Sequence, residues 1–261
     1  MDLGLSDRVF VVTGGSRGLG LAAAQALVAE GARVVVVARD QQGLDAAVES
    51  LGGGDHAVGL PADLADSATA ERVIAAAVAR YGRLDGALIS VGGPAAGTAM
   101  TTDDETWRVS FETVFLGALR VARAAANAMS SEPGELSGVG GSLVFILSSS
   151  AKEIFPGLTT SNGLRPGLAM MVKDFADELG ARGIRVNGVL PGRIATDRMF
   201  ALDARYGAPD MVRRRNEAAI PLGRYGEPEE LGRVAAFLLS PAASYLSGAL
   251  LNVDGGSSRS I

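Results

Sequence analysis

Short apolar runs and longer amphipathic stretches alternate along the whole chain. The runs are Arg8–Thr13, Arg33–Ala38, His56–Leu60, Leu84–Ser90, Ser142–Leu147, Ile184–Leu190 and Ala249–Val253. They are apolar at successive positions rather than at every second one, the pattern of a strand covered on both faces. Helical spacing between them predicts helices at Gly18–Glu30, Gln41–Leu51, Ser67–Tyr81, Thr102–Ser130, Ser161–Arg182 and Pro228–Leu239. Such alternation predicts an α/β fold in a single domain, 1–261: a doubly wound, parallel seven-stranded sheet with helices on both faces and right-handed crossovers. Ligands of such sheets lie beyond the carboxyl ends of the strands. Two stretches stand outside the alternation. Ser131–Gly141, rich in Pro, Gly and Ser, predicts a surface loop, and Thr196–Ile220 predicts a helical lid near 196–220 over a substrate.

The first run ends in Gly14-Gly15-Ser16-Arg17-Gly18-Leu19-Gly20, and an alanine-rich helical stretch follows at once. Gly14 can turn sharply at the strand end, Gly18 lets backbone approach a phosphate, and Gly20 lets the helix pack tightly on the sheet. The helix start then offers free N–H groups and a positive dipole end to a pyrophosphate. A tight strand-to-helix turn with no ligand is the plain alternative. The strand before and the helix after favour dinucleotide binding.

Composition narrows the function classes. The chain has 261 residues, 48% hydrophobic and 20% charged, enough for a substantial core and not the make-up of a disordered chain. Its net charge of −5 and lack of a basic block argue against a nucleic-acid groove. No apolar run approaches the roughly 18 residues of a membrane helix. Met1-Asp2-Leu3-Gly4 is not a secretion signal, so a cytoplasmic location is expected. With no cysteine, thiol catalysis, disulfides and thiolate metal sites are excluded, and no metal centre is expected.

Several short motifs follow one another in order: Thr13-Gly14-x-x-x-Gly18-x-Gly20, Asp63-Leu64, Leu84-Asp85-Gly86, Arg185-Val186-Asn187, Pro191-Gly192 with Thr196, and Val253-Asp254-Gly255-Gly256. In sequence and spacing they resemble the short-chain dehydrogenase/reductase family almost end to end, its 3-oxoacyl-acyl-carrier-protein reductase-like members in particular. The resemblance implies a Rossmann fold, a nicotinamide dinucleotide, a small-molecule substrate and a homo-oligomer, tetramer or dimer. It further implies that Asp63 bonds the adenine amino group and Thr196 the nicotinamide amide. Gly14, Ser16, Arg17, Gly18, Leu19, Gly20, Leu64, Gly92, Pro191, Gly192 and Ile194 would complete the cofactor contacts.

The choice between NADP(H) and NAD(H) turns on Val37-Ala38-Arg39-Asp40. A carboxylate there would bond the ribose hydroxyls and repel a 2′-phosphate, whereas an arginine would do the reverse. Asp40 stands where the general spacing places the NAD acid. The family's discriminating acid usually ends the strand itself, however, and Ala38 takes that place. Arg39 follows it, Arg17 lies in the glycine turn, and a guanidinium matches a phosphate in a two-pronged fork, so NADP(H) is preferred and NAD(H) stays possible. Ordinary solvated charge is the alternative for both arginines.

The catalytic half departs from the family. There a tyrosine donates the proton, a lysine four residues on lowers its pKa and holds the ribose, a serine bonds the substrate oxygen, and an asparagine supports a water relay. Here Ser161 falls on the tyrosine, Arg165 on the lysine and Val114 on the asparagine, while Ser148 matches the serine, with Ser149 and Ser150 as near rivals. An aliphatic hydroxyl is a far weaker acid than a phenol, and a guanidinium does not cycle its proton. Arg165 can still clamp the ribose, or stabilise developing negative charge. Lys152, on the loop after the fifth strand, is a substitute acid if Arg165 depresses its pKa. The plain alternatives are a helix N-cap for Ser161, a surface ion pair for Arg165 and a solvated charge for Lys152. His56, the sole histidine, and the four tyrosines (Tyr81, Tyr206, Tyr225, Tyr245) lie away from this stretch in sequence.

Three functions compete at this stage. One is an NADPH-dependent reductase of a small carbonyl or 3-oxoacyl compound, with Ser148, Lys152, Ser161 and Arg165 as its catalytic candidates. The second is a catalytically silent dinucleotide-binding protein, a sensor or assembly subunit. The third, isomerase or lyase chemistry on the same fold, is selected by no residue.

Overall fold

Successive residues of the central strands point to opposite faces, and both faces are buried. Val9 and Val11 enter one core while Phe10 and Val12 enter the other; Val35 and Val34, and Phe145 and Val144, divide in the same way. That is the physical content of an unbroken apolar run. The computed structural model describes residues 2–129 and 140–260. Its strands are β1 (Val9–Thr13), β2 (Arg33–Ala38), β3 (Ala57–Pro61), β4 (Gly86–Ser90), β5 (Gly141–Ile146), β6 (Ile184–Pro191) and β7 (Leu250–Val253). All pair in parallel, in the order β3-β2-β1-β4-β5-β6-β7. The winding reverses between β1 and β4, so the binding crevice of such a sheet opens beyond Thr13 and Ser90. Thr13 joins these two strand ends: its hydroxyl donates to the Ser90 carbonyl (2.8 Å) and accepts from the Ser90 N–H (2.9 Å).

The helices are α1 (Gly18–Ala29), α2 (Gln41–Ser50), α3 (Thr69–Tyr81), α4 (Asp104–Ser110), α5 (Gly117–Ala128), α6 (Thr159–Leu179), α7 (Asp197–Asp203), α8 (Pro209–Ala218) and α9 (Pro228–Leu239). Apolar stripes of α3, α5 and α6 cover one face (Val73 and Ala77, Val121 and Ala125, Leu168 and Val172). Those of α1, α2 and α9 cover the other (Ala23 and Leu27, Leu44, Leu231 and Ala235). No helix among the described residues is long and apolar enough to cross a membrane.

Three expectations change. The helix foreseen at Thr102–Ser130 is α4 and α5 joined by a π-helical stretch, Phe111–Leu116, in which the Gly117 N–H reaches back to the Glu112 carbonyl; Ser130 lies outside the described residues. The helix foreseen from Ser161 begins at Thr159, so Ser161 sits inside its first turn, and the N-cap, Leu158, makes no side-chain cap. Ser161 is therefore not an N-cap. The loop foreseen at Ser131–Gly141 lies outside the described residues but for Gly140 and Gly141, and Gly141 already opens β5.

Arg185 and Asn187 serve the fold. The Arg185 guanidinium donates to the carbonyls of Leu238 (2.8 Å) and Ser240 (2.9 Å), placing a cation on the C-terminal end of α9. Asn187 donates to the Leu246 carbonyl (2.8 Å) and accepts from the Ala249 N–H (3.0 Å), which sets β7 beside β6.

Thr196–Ile220 is helical, as α7 and α8 separated by a 3-10 turn, Ala204–Tyr206. A buried carboxylate anchors it. Asp203 accepts from Arg193 (2.7 Å), from Asn216 (3.1 Å) and from the Tyr225 hydroxyl (2.6 Å).

Candidate active site

The glycine turn is built from two left-handed backbone positions and one close approach. Gly14 and Gly18 have φ of +61° and +57°, values that side chains with a Cβ resist. A Cβ on Gly20 would collide with the Gly14 carbonyl, so only glycine lets α1 start this close to the strand end. The Gly15 N–H bonds the Val37 carbonyl (3.1 Å) and ties the turn to β2. Above the turn there is room: a Cβ on Gly18 would meet only Thr196 Cγ2, at 3.8 Å, and one on Gly92 would meet nothing within 4 Å. Thr196 is the N-cap of α7, accepting from the Met199 N–H (3.2 Å). From α7, Arg198 donates to the Pro94 carbonyl (2.8 Å), so α7 bridges the end of β6 and the loop after β4.

At the far end of the turn, Asp40 caps α2, its carboxylate accepting from the Gly43 N–H (3.0 Å). Arg17 and Arg39 are exposed, and neither side chain bonds another group among the described residues. Ser16 lies against the start of α2, 3.6 Å from where a Gly43 Cβ would stand, so Arg17 and Arg39 belong to adjoining segments. After β3, Asp63 is exposed and accepts from the Ala65 N–H (3.0 Å). Leu64 packs on the start of α5, where a Cβ on Gly117 would lie 2.6 Å from the Leu64 carbonyl oxygen.

Hydroxyls and one guanidinium gather at the end of β5. Ser148 Oγ accepts from the Ser150 N–H (3.1 Å), and Ser149 Oγ donates to the Pro191 carbonyl (2.7 Å), tying the ends of β5 and β6. Ser150 Oγ and Ser161 Oγ are 2.8 Å apart in a buried hydrogen bond. One helical turn on, Arg165 is buried with 4% exposure. Its Nη1 donates to the Ile146 carbonyl (2.8 Å), its Nε has no partner, and no carboxylate among the described residues pairs with it. Burial lowers its pKa from the ordinary arginine range to about 10, so it remains charged at neutral pH. A surface ion pair is thereby ruled out for Arg165. Val114 is buried in the π-helical stretch and brings no polar group.

Lys152 does lie on the loop beside this cluster, but it is exposed and its ammonium has no partner among the described residues. Arg165 is held inward on the Ile146 carbonyl. The acid role foreseen for Lys152 thus draws no support from burial or from a hydrogen bond. In space, one tyrosine does reach this loop: the Tyr206 hydroxyl donates to the Pro156 carbonyl (3.1 Å). Ser150, foreseen only as a rival of Ser148, is the partner of Ser161, and Asp203, the anchor of 197–218, carries no motif that sequence spacing singles out. No group of three or more His, Asp or Glu residues among those described could hold a metal ion.

Comparison with known proteins decides the family. A family model described as enoyl-(acyl carrier protein) reductase matches residues 14–258. L-rhamnose 1-dehydrogenase (NAD(P)(+)) of Azotobacter vinelandii is 35% identical over 258 residues, 97% of either chain. The chain belongs to the short-chain dehydrogenase/reductase family. Other known proteins are similar over the same span. The 3-oxoacyl-acyl-carrier-protein reductase of Vibrio cholerae is 31% identical, with 97% of this chain and 98% of that one covered. L-sorbose reductase of Gluconobacter frateurii, solved with NADPH and L-sorbose, superposes with a TM-score of 0.92 at 29% identity over the whole of both chains. The chain is accordingly an oxidoreductase of the short-chain dehydrogenase/reductase type. Its open crevice above Gly18 and Gly92, and the buried, uncompensated Arg165 with its unpartnered Nε, fit a dinucleotide lying over the strand ends.

Proposed function

We propose that this protein is an NADPH-dependent reductase of a small carbonyl or 3-oxoacyl compound. The observation that carries this proposal is the buried Arg165 guanidinium, charged and without a carboxylate, one turn from the Ser150–Ser161 pair. The choice of NADPH rests on Asp40 and the two arginines. With its carboxylate committed to capping α2, Asp40 is drawn away from a ribose, whereas Arg17 and Arg39 are free to meet a 2′-phosphate. NADPH, when bound, supplies the hydride.

The protein's own residues handle the oxygen. Ser148 Oγ donates a hydrogen bond to the carbonyl oxygen and orients it. Negative charge grows on that oxygen as the carbonyl is reduced. Arg165 stabilises it through a poorly solvated surrounding, where a fixed positive charge acts more strongly than in water. The proton is drawn from water along the Ser161–Ser150 hydroxyl pair. Asp63 and Thr196 hold the adenine and nicotinamide ends, as the family resemblance implies.

The test is calorimetric binding of NADPH and NADH, followed by NADPH consumption against a panel of ketones, aldehydes and 3-oxoacyl thioesters. Turnover that falls in Ser148→Ala and Arg165→Ala is the expected result. Tight NADPH binding with no turnover across the panel would favour a silent dinucleotide-binding protein instead.

A further inference from the structure

One carboxylate beside the site gathers three donors from the far end of the chain. Glu153 stands on the loop between Ser148 and α6. It accepts from the Ser258 hydroxyl (2.8 Å), the Arg259 N–H (2.7 Å) and the Ser260 N–H (3.4 Å). The backbone bond from Arg259, then the Ser258 hydroxyl, hold its pKa below the ordinary glutamate value. Convergent donors on one half-buried carboxylate tie the two segments together.

The tail is fixed at its root as well. Beyond β7, Asp254 accepts from the N–H groups of Gly256 (2.9 Å) and Ser258 (2.9 Å), turning the chain back toward the site. Gly192, after β6, donates to the Val253 carbonyl (3.0 Å), and Leu222, just past α8, donates to the Gly255 carbonyl (3.2 Å). The tail therefore touches the loop after β5, the loop after β6 and the far end of the lid. The loop carrying Glu153 is secured elsewhere by Asn162, which brackets Phe155 with two bonds, and by Gly97, whose N–H bonds the Gly157 carbonyl (2.8 Å). Between Ser148 and Phe155 the Glu153 side chain is its attachment to the tail. The bond from the Glu153 N–H to the Ser149 carbonyl (3.1 Å) carries that attachment straight to the serine cluster.

We propose that Glu153 is a positioning residue: it straps the tail, Ser258–Ser260, across the 152–158 loop, and the strap sets affinity for the carbonyl compound without altering that for the dinucleotide. The part about the carbonyl compound rests on the reductase function proposed above. The strap itself does not. Glu153 bonds Ser149 and the tail at Ser258–Ser260 and no residue of the glycine turn, so dinucleotide affinity is the property it leaves alone.

Hydrogen exchange on the full-length, ligand-free protein tests the strap directly. In Glu153→Ala, the amides of Ile154, Phe155, Gly157, Leu158, Arg259 and Ser260 exchange about tenfold faster, while those of α1 keep their rates. Glu153→Gln, which retains an acceptor oxygen, falls between wild type and Glu153→Ala. A chain ending at Gly256 reproduces the faster exchange at 154–158. Unchanged exchange at 154–158 in both Glu153→Ala and the shortened chain overturns the strap. Kinetics test its consequence: KM for the carbonyl compound rises about fivefold at constant kcat and constant NADPH affinity, the mark of lost uniform binding. A fall in kcat at constant KM, or a matching loss of NADPH affinity, overturns the positioning role. A wild-type protein that turns over no carbonyl compound overturns the reductase function, and the exchange rates then decide the strap alone.

Discussion

Ser150 Oγ and Ser161 Oγ lie 2.8 Å apart, each buried, and the family resemblance sets Ser161 in the place of a tyrosine. Two hydroxyls in contact can pass a proton as a unit, and residues that act as a unit show non-additive losses. Ser150→Ala and Ser161→Ala are each expected to slow carbonyl reduction about tenfold or more, and the double variant no more than either alone. Losses that multiply in the double variant would break the pair into two independent roles.

Arg165 sets stability against chemistry. A buried guanidinium without an anion is costly to the fold. Arg165→Met is expected to stabilise the protein by about 1 kcal/mol at neutral pH. Turnover in the same variant is expected to fall about a hundredfold. The sign with pH follows from a folded pKa that burial lowers to about 10. Below that value the folded state carries the full penalty of burying the charge. As pH rises from there toward the ordinary arginine range, the unfolded chain binds more protons, wild-type stability rises, and the advantage of Arg165→Met shrinks. Urea titrations at neutral pH and near pH 11 check both statements.

Arg17 and Arg39 are exposed, which limits what each is worth. Arg17→Ala and Arg39→Ala should each weaken NADPH binding about tenfold, roughly 1.4 kcal/mol, and leave NADH binding nearly unchanged. Calorimetry with both dinucleotides measures the ratio. Equal losses for the two would remove the arginines from 2′-phosphate recognition.

Asp203 holds the lid by accepting from three side chains at once. Asp203→Ala strands the partly buried Arg193 and two buried donors, at an expected cost of about 3 kcal/mol. Limited proteolysis with sequenced cut sites, alongside a urea titration, tells whether that cost unlatches 197–218 alone or the whole domain. Stability unchanged and no new cut sites would mean that the lid is secured by other contacts.

The sheet was legible in the sequence because both of its faces are covered. An unbroken apolar run such as Val34–Val37 has few other ways to be satisfied, and the glycines at 14, 18 and 20 are dictated by backbone geometry that the spacing exposes. The glycine turn was legible for the same reason. The catalytic half was not. A serine triplet does not announce that its third member bonds a side chain eleven residues away, because that contact depends on where α6 begins, and α6 begins two residues before Ser161. Arg185 has a similar history. As part of a motif it marked the family, and only the packing of α9 on the sheet shows that its task is to receive helix carbonyls. Nor does a charged residue reveal from spacing whether it turns inward, so Lys152 and Arg165 could be told apart only in three dimensions.

The wide turn at Phe111–Leu116 has a consequence for the face that α4 and α5 present. One surplus residue offsets the two helices in angular phase, so Trp107 before it and Ala118 after it cannot be placed on a single helical wheel. Trp107 packs its ring edge against Gly163 of α6, where any side chain larger than hydrogen would strike it. Losing one residue from the turn would rotate that indole away from the helix that bears Ser161 and Arg165.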